Sequence, residues 1–187
     1  MSAYLIHAES ADFLCLSPWI TPNTTWTTID DRVRGGSSHS YLSPIPNSTS
    51  IRFYGTLDTS TLGGAGFASQ STTGDKTWDL SKYNGLEVEV AKWDSKRYTI
   101  TVKDEVPDGK REDGREKAVV SWEYDFKLDR KKPAVRNEES KEKDPKKTET
   151  VWIPWENFKA TYRGKDVDDP KPLNTSEIRR FGLLMRR

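Results

Sequence analysis

The sequence predicts an all-β fold, a sandwich of two antiparallel sheets, on three observations. Apolar residues recur with period two in segment after segment, with turn residues between them. No long segment repeats its apolar residues at helical spacing. Seven Trp and seven Tyr in 187 residues suit pleated, half-buried surfaces and a dense core.

Taken along the chain, Ile51, Phe53 and Leu57 share one face of a predicted strand over 51–58, and Arg52, Tyr54 and Thr56 share the other. The glycine-rich stretch 62–70 is expected to be a turn leading into a small-residue strand. Leu86, Val88 and Val90 alternate with Glu87 and Glu89. Tyr98, Ile100 and Val102 alternate with Arg97, Thr99, Thr101 and Lys103. The short connection Asp94-Ser95-Lys96 predicts a hairpin between these two strands. Residues 104–117, charged and carrying Pro107, Gly109 and Gly114, read as an exposed hairpin loop. Val120, Trp122, Tyr124 and Phe126 alternate with Ser121, Glu123 and Asp125. Val151 and Ile153 make a short strand that stops at Pro154, and 181–185 is the last strand. Trp155, Phe158 and Tyr162 suggest one or two helical turns over 155–162. Each strand thus has one face for a second sheet and one for solvent or ligand.

Length predicts one domain, 1–187, with an N-terminal extension over 1–18 and a charged insert over 127–149. The insert holds nine Lys/Arg and six Asp/Glu in 23 residues, too polar to offset its ordering entropy, and is expected to be mobile. It explains the low hydrophobic fraction of 33%. A net charge of +1 gives no whole-molecule field for nucleic acid or an anionic membrane. No apolar run is long enough to span a bilayer. The lone Cys15 excludes an internal disulfide and a cysteine-only zinc site. The first thirty residues lack Lys and Arg, unlike a transit or secretory segment, so the expected location is cytoplasmic. The sequons at Asn23, Asn47 and Asn174 are then coincidental.

The stretch most suggestive of chemistry is 30–38, where Asp30, Asp31, Arg32 and Arg34 precede Gly35-Gly36 and Ser38. Arginine forks grip carboxylates, phosphates or sugar hydroxyls, and paired glycines let backbone approach a ligand. The competing reading is internal: an Asp–Arg pair pinning the first strand, with Gly-Gly as a bulge. The glycine-rich stretch at 63–70 lacks the Lys-Ser/Thr ending of a phosphate-cradling loop. His7 and His39 lie in no nucleophile motif, so no enzyme is expected. Asp166-Val167-Asp168-Asp169 offers oxygen ligands without calcium-loop spacing. Most Trp residues alternate with apolar neighbours and read as core; Trp19, Trp93 and Trp155 are open to exposure.

In order, Trp26, Asp31-Arg32-Val33-Arg34-Gly35-Gly36-Ser37-Ser38, Phe53-Tyr54-Gly55-Thr56-Leu57, Gly63-Gly64-Ala65-Gly66-Phe67-Ala68-Ser69, Asp79-Leu80-Ser81-Lys82-Tyr83-Asn84-Gly85-Leu86, Lys96-Arg97-Tyr98, Ile153-Pro154-Trp155, Tyr162-Arg163-Gly164 and Ile178-Arg179-Arg180-Phe181-Gly182-Leu183 stand along residues 19–185. This series resembles the complex I intermediate-associated protein 30 family (NADH:ubiquinone oxidoreductase intermediate-associated protein 30 domain), in a small fungal form. The resemblance implies a galactose-binding-like jelly roll, similar to some carbohydrate-binding modules. It implies a non-enzymatic, chaperone-like assembly or scaffold role without cofactor or metal. The partner would be a protein, such as respiratory complex I subunits or assembly factors. The expected contact residues are Trp26, Asp30, Asp31, Arg32, Arg34, Gly35, Gly36, Ser38, Gln70, Arg97, Trp155 and Arg163. The alternative partner is a glycan on the concave sheet face. The family's mitochondrial location stands as the alternative to the cytoplasm. The family usually continues past the Phe-Gly-Leu strand into a loop and a final strand, so the expectation is either a truncated chain or a sandwich that lacks a strand and has an unpaired edge.

Overall fold

A computed structural model describes residues 11–14, 24–47, 50–58, 60–61, 66–112, 114, 116–128 and 149–186. Most of the expected 1–18 extension, Cys15, Trp19, residues 62–65 of the glycine-rich stretch and 129–148 of the charged insert lie outside these residues.

The described residues form twelve strands: β1 (Ala11–Leu14), β2 (Trp26–Thr28), β3 (His39–Pro44), β4 (Ser50–Thr56), β5 (Phe67–Thr72), β6 (Gly85–Trp93), β7 (Arg97–Lys103), β8 (Ser121–Phe126), β9 (Glu149–Pro154), β10 (Lys159–Tyr162), β11 (Lys165–Asp166) and β12 (Arg180–Arg186). They build a five-stranded sheet in the order β3-β4-β1-β6-β9 and a seven-stranded sheet in the order β11-β10-β8-β7-β12-β5-β2. Neighbouring strands run antiparallel throughout. This is the expected antiparallel jelly-roll sandwich.

The predicted alternation is what closes the sandwich. Phe53, Val88, Val90 and Ile153 project from the five-stranded sheet, and Tyr98, Ile100, Val102, Leu183 and Met185 from the other, all buried in one core. Trp78 and Trp122 are buried with them, and Trp78 meets Phe181 edge to face at 5.1 Å. The loop over 104–117 joins β7 and β8, which pair antiparallel, as the hairpin reading required. β12 lies inside its sheet between β7 and β5.

Three expectations need correction. The 94–96 connection is not a hairpin. β6 pairs with β1 and β9, whereas β7 pairs with β8 and β12, so the chain arches from one sheet to the other. Asp94 makes the arch by accepting from the Lys96 amide at 2.9 Å and the Tyr98 hydroxyl at 2.7 Å. Loop length alone does not separate an arch from a hairpin, because both flanking strands alternate alike.

The helical turns over 155–162 reduce to one 3-10 turn at Trp155–Asn157, after which the backbone extends at Phe158. β10 then pairs with β8, placing Ala160 opposite Trp122, and Phe158 and Ala160 are buried with period two. Lastly, Ala11–Leu14 is a strand between β4 and β6, where an extension was expected.

Phe53 is fully buried at the centre of the core. Phe53→Ala is expected to lower the unfolding free energy by about 3–5 kcal/mol, the range for emptying an aromatic core site, measured by chemical denaturation.

Candidate functional site

The segment between β2 and β3 turns at Asp31–Arg34 as a single 3-10 turn, where the sequence suggested a strand. It ends at Gly35 with φ 88°, a left-handed conformation that favours glycine. What fixes the turn is a set of buried carboxylates. Asp31 accepts from the Ser38 amide at 3.0 Å, the Ser38 hydroxyl at 2.5 Å and the Phe67 amide at 3.2 Å. Asp30 accepts from the Ser40 amide and hydroxyl at 3.1 and 2.7 Å and from the Ser69 amide at 2.9 Å. Its remaining contact is the half-exposed Arg32 guanidinium at 3.3 Å. Gly36 lies so close that a Cβ there would collide with the Asp31 carboxylate.

Asp58 completes the set. It accepts from the amide and hydroxyl of Ser37, Ser60 and Thr61, while its own amide donates to Ser38 at 2.8 Å. The Thr61 and Ser60 backbone donors, with the Ser60 and Ser37 hydroxyls, hold its carboxyl well below the usual range. The oxygens of all three aspartates are thus committed to hydrogen bonds. Among the described residues no group of three or more His, Cys, Asp or Glu is placed to hold a metal ion.

Beside this turn lies a groove of about 890 Å³ on the outer face of the seven-stranded sheet. Its floor is the polar side of the alternation: Ser71 from β5, Lys103 from β7, Ser121 and Glu123 from β8, Thr161 from β10 and Arg180 from β12. The β7–β8 loop supplies a wall with Lys110, Arg111, Glu116 and Lys117, and Arg34 and Arg163 also line the groove. Among the described lining residues seven Lys or Arg thus face three Asp or Glu, the third being Asp75. Phe67 is the one aromatic ring among the described lining residues, and Arg34 stacks over it at 5.7 Å.

The expected contact residues divide into distinct groups. Arg34 and Arg163 reach the groove. Arg97 stands at the start of β7, 3.8 Å from Asp125. Asp30, Asp31, Ser38 and Gln70 are buried; Gln70 donates to Thr28 at 2.8 Å and to the Ser40 carbonyl at 3.0 Å. They hold the turn, with Gly35 and Gly36 supplying its geometry. Trp26 packs on the core from β2. Trp155 also packs on the core and donates its indole N–H to the Tyr83 carbonyl at 2.7 Å. Trp93, left open to exposure by its context, is partly buried against the core.

Lys103, Glu116, Glu123 and Arg180 escaped the sequence reading as site residues. The alternation marks Lys103 and Glu123 as outward, but only the strand register brings Lys103, Glu123 and Arg180 together, and the β7–β8 loop adds Glu116. Trp152, an exposed ring on β9, had a signal: it alternates with the core residues Val151 and Ile153.

Residues 20–187 match the family model described as complex I intermediate-associated protein 30. The chain is also 42% identical over 162 residues to an uncharacterized protein of Schizosaccharomyces pombe, an alignment covering 84% of this chain and 67% of that protein.

Asp31→Ala leaves three donors without a partner in a buried site and is expected to cost about 3–5 kcal/mol of stability, read by denaturation. Asp58 governs the acid limb of stability. Because its folded-state pKa is depressed, its contribution is complete above the ordinary value of 3.8 and is lost as pH falls below it. Asp58→Asn should therefore flatten the fall in melting temperature below about pH 4 relative to wild type.

Proposed function

The chain belongs to the complex I intermediate-associated protein 30 family, and on that premise we propose that it is a non-enzymatic binding factor, a single domain over residues 1–187. It holds a protein partner during assembly of the respiratory complex I kind. The contact surface is the groove on the outer face of the seven-stranded sheet, with Arg34 and Arg163 among its contact residues. The observation that carries this is the pairing of family membership with a large, predominantly cationic groove walled by a loop.

Several features support binding over catalysis. A nucleophile needs a base within hydrogen-bond reach. Among the described residues no hydroxyl or thiol bonds to His39, and its Nδ1 is buried without a partner. The carboxylates with resolved pKa displacements, Asp58, Asp79 and Asp94, all move down, which keeps them ionised rather than poised as proton donors. A glycan is disfavoured by the lining of the groove. Sugar faces stack on bare flat rings, and the ring present, Phe67, is already covered by Arg34. The family premise also carries a mitochondrial site of action ahead of a cytoplasmic one. Among the described residues no helix is long and apolar enough to cross a membrane.

Affinity capture from native mitochondrial extract, using the tagged full chain, tests the proposal. Complex I subunits or assembly intermediates should be retained by wild type and reduced at least about tenfold by the double reversal Arg34→Glu/Arg163→Glu, with unchanged melting temperature. Retention unaffected by the double reversal would remove the groove from the proposal. Recovery without any complex I component would remove the function.

A further inference from the structure

The floor of the groove holds two cations where a sheet does not tolerate them cheaply. Lys103 on β7 and Arg180 on β12 are directly opposed in the strand register, and both side chains stand on the outer face. Like charges in that relation repel. Arg180 is only 5% exposed. Its guanidinium donates to the Gly74 and Arg179 carbonyls at 2.7 and 2.9 Å and to Glu116 at 2.8 Å, and its Nε is buried without a partner among the described residues.

Lys103 has less. Burial pulls its ammonium below the ordinary lysine range; Glu116 and Glu123 act against this, and Arg180 adds to it. Among the described residues no carboxylate lies within ion-pairing distance of it. Glu123 is engaged elsewhere, accepting from Thr161 at 2.8 Å and lying 3.8 Å from Arg186. Among the described residues Glu116 is therefore the one carboxylate bonded to this cation pair, and it belongs to a surface loop with 43% of its side chain exposed.

We propose that the Lys103–Arg180 pair is a receptor for a carboxylate of an acidic peptide segment on the partner, and that Glu116 is an internal stand-in which the partner's carboxylate supplements or displaces. This rests on the protein-binding reading of the groove and specifies what that groove recognises. Among the described residues Lys103 has no fixed acceptor for its three N–H donors, and a carboxylate taking the place of Glu116 on the Arg180 Nη2 would lie between the two cations and serve both. An acidic peptide fits better than a nucleic acid. Glu116, Glu123 and Asp75 would each repel a backbone charged at every unit, whereas a peptide can set neutral atoms against them. With a net charge of +1, the chain also provides no long-range field for a polyanion.

Isothermal titration of the full chain with an oligoglutamate peptide tests this, with oligoglutamine, an oligothymidylate and inorganic phosphate as comparators. Oligoglutamate should bind, weaken with added salt, and exceed each comparator. Lys103→Gln should weaken it about tenfold, the worth of one charge-assisted hydrogen bond. Glu116→Gln should tighten it, a gain that misfolding cannot produce. Equal binding of oligoglutamine, indifference to Lys103→Gln, or weaker binding in Glu116→Gln would overturn the proposal. Tighter binding of phosphate or oligothymidylate would overturn it in favour of a phosphate ligand. If the peptide fails while Arg34→Glu/Arg163→Glu still releases the captured partner, the groove stands and only the acidic recognition falls. If both fail, the groove itself is not the contact surface.

Discussion

Asp30 stands where the two sheets of the sandwich meet. Its carboxylate takes hydrogen bonds from Ser40 on β3, in the five-stranded sheet, and from Ser69 on β5, in the seven-stranded sheet. The Ser69 carbonyl lies 2.9 Å from the same Ser40 hydroxyl, as an alternative acceptor to Asp30, and Gln70 donates back to the Ser40 carbonyl. Asp31 and Asp58 extend the same seam to Ser38, Phe67 and Ser37. Backbone donors that find no ladder partner between two sheets would otherwise be buried unsatisfied. Anionic acceptors satisfy several at once, with bonds stronger than neutral ones. The turn at Asp31–Arg34, the glycine at its end and the placement of Arg34 in the groove all follow from this seam.

The same arrangement separates the two roles that the 30–38 stretch suggested. The carboxylates serve the fold; one of the arginines is left to serve the surface. Asp31 is fully buried, Arg32 spends its guanidinium partly on Asp30, and Arg34 is carried over Phe67 into the groove. Beyond it, the outer face of the seven-stranded sheet is polar across β5, β7, β8, β10 and β12. An antiparallel sheet can leave one face wet. Here that face is roofed on one side by the β7–β8 loop, which turns a wet surface into a groove with a charge of its own.

How much of this was legible varies by element and for physical reasons. Strands such as β6, β7, β8 and β12 declared themselves because burial on one face imposes period two on their apolar residues. β3 passed unnoticed because its one fully buried position is Ser40, whose burial is made possible by Asp30 and not by apolarity. The same holds for β5, whose extent the sequence left open: Gln70 and Thr72 are buried on it. The arch at 94–96 has the length of a hairpin, and β10 carries too few residues to outweigh a Trp–Phe–Tyr spacing that also suits a helix. In the site, Asp30, Asp31 and Ser38 stood out in sequence, but their bonds to Phe67 and Ser69 span 36 and 39 residues. The Lys103–Arg180 opposition depends on register, which no local pattern states.

The account rests on carboxylate acceptors, rather than sheet ladders, holding the seam. Residue-resolved amide hydrogen exchange on the wild-type chain addresses that directly. The amides of Ser38, Ser40, Phe67 and Ser69, which donate to Asp30 or Asp31, should exchange about as slowly as those of β12 in the core of its sheet. Fast exchange at these four positions beside slow exchange in β12 would mean that the seam opens independently of the core, contradicting the dependence of the turn and the groove on it.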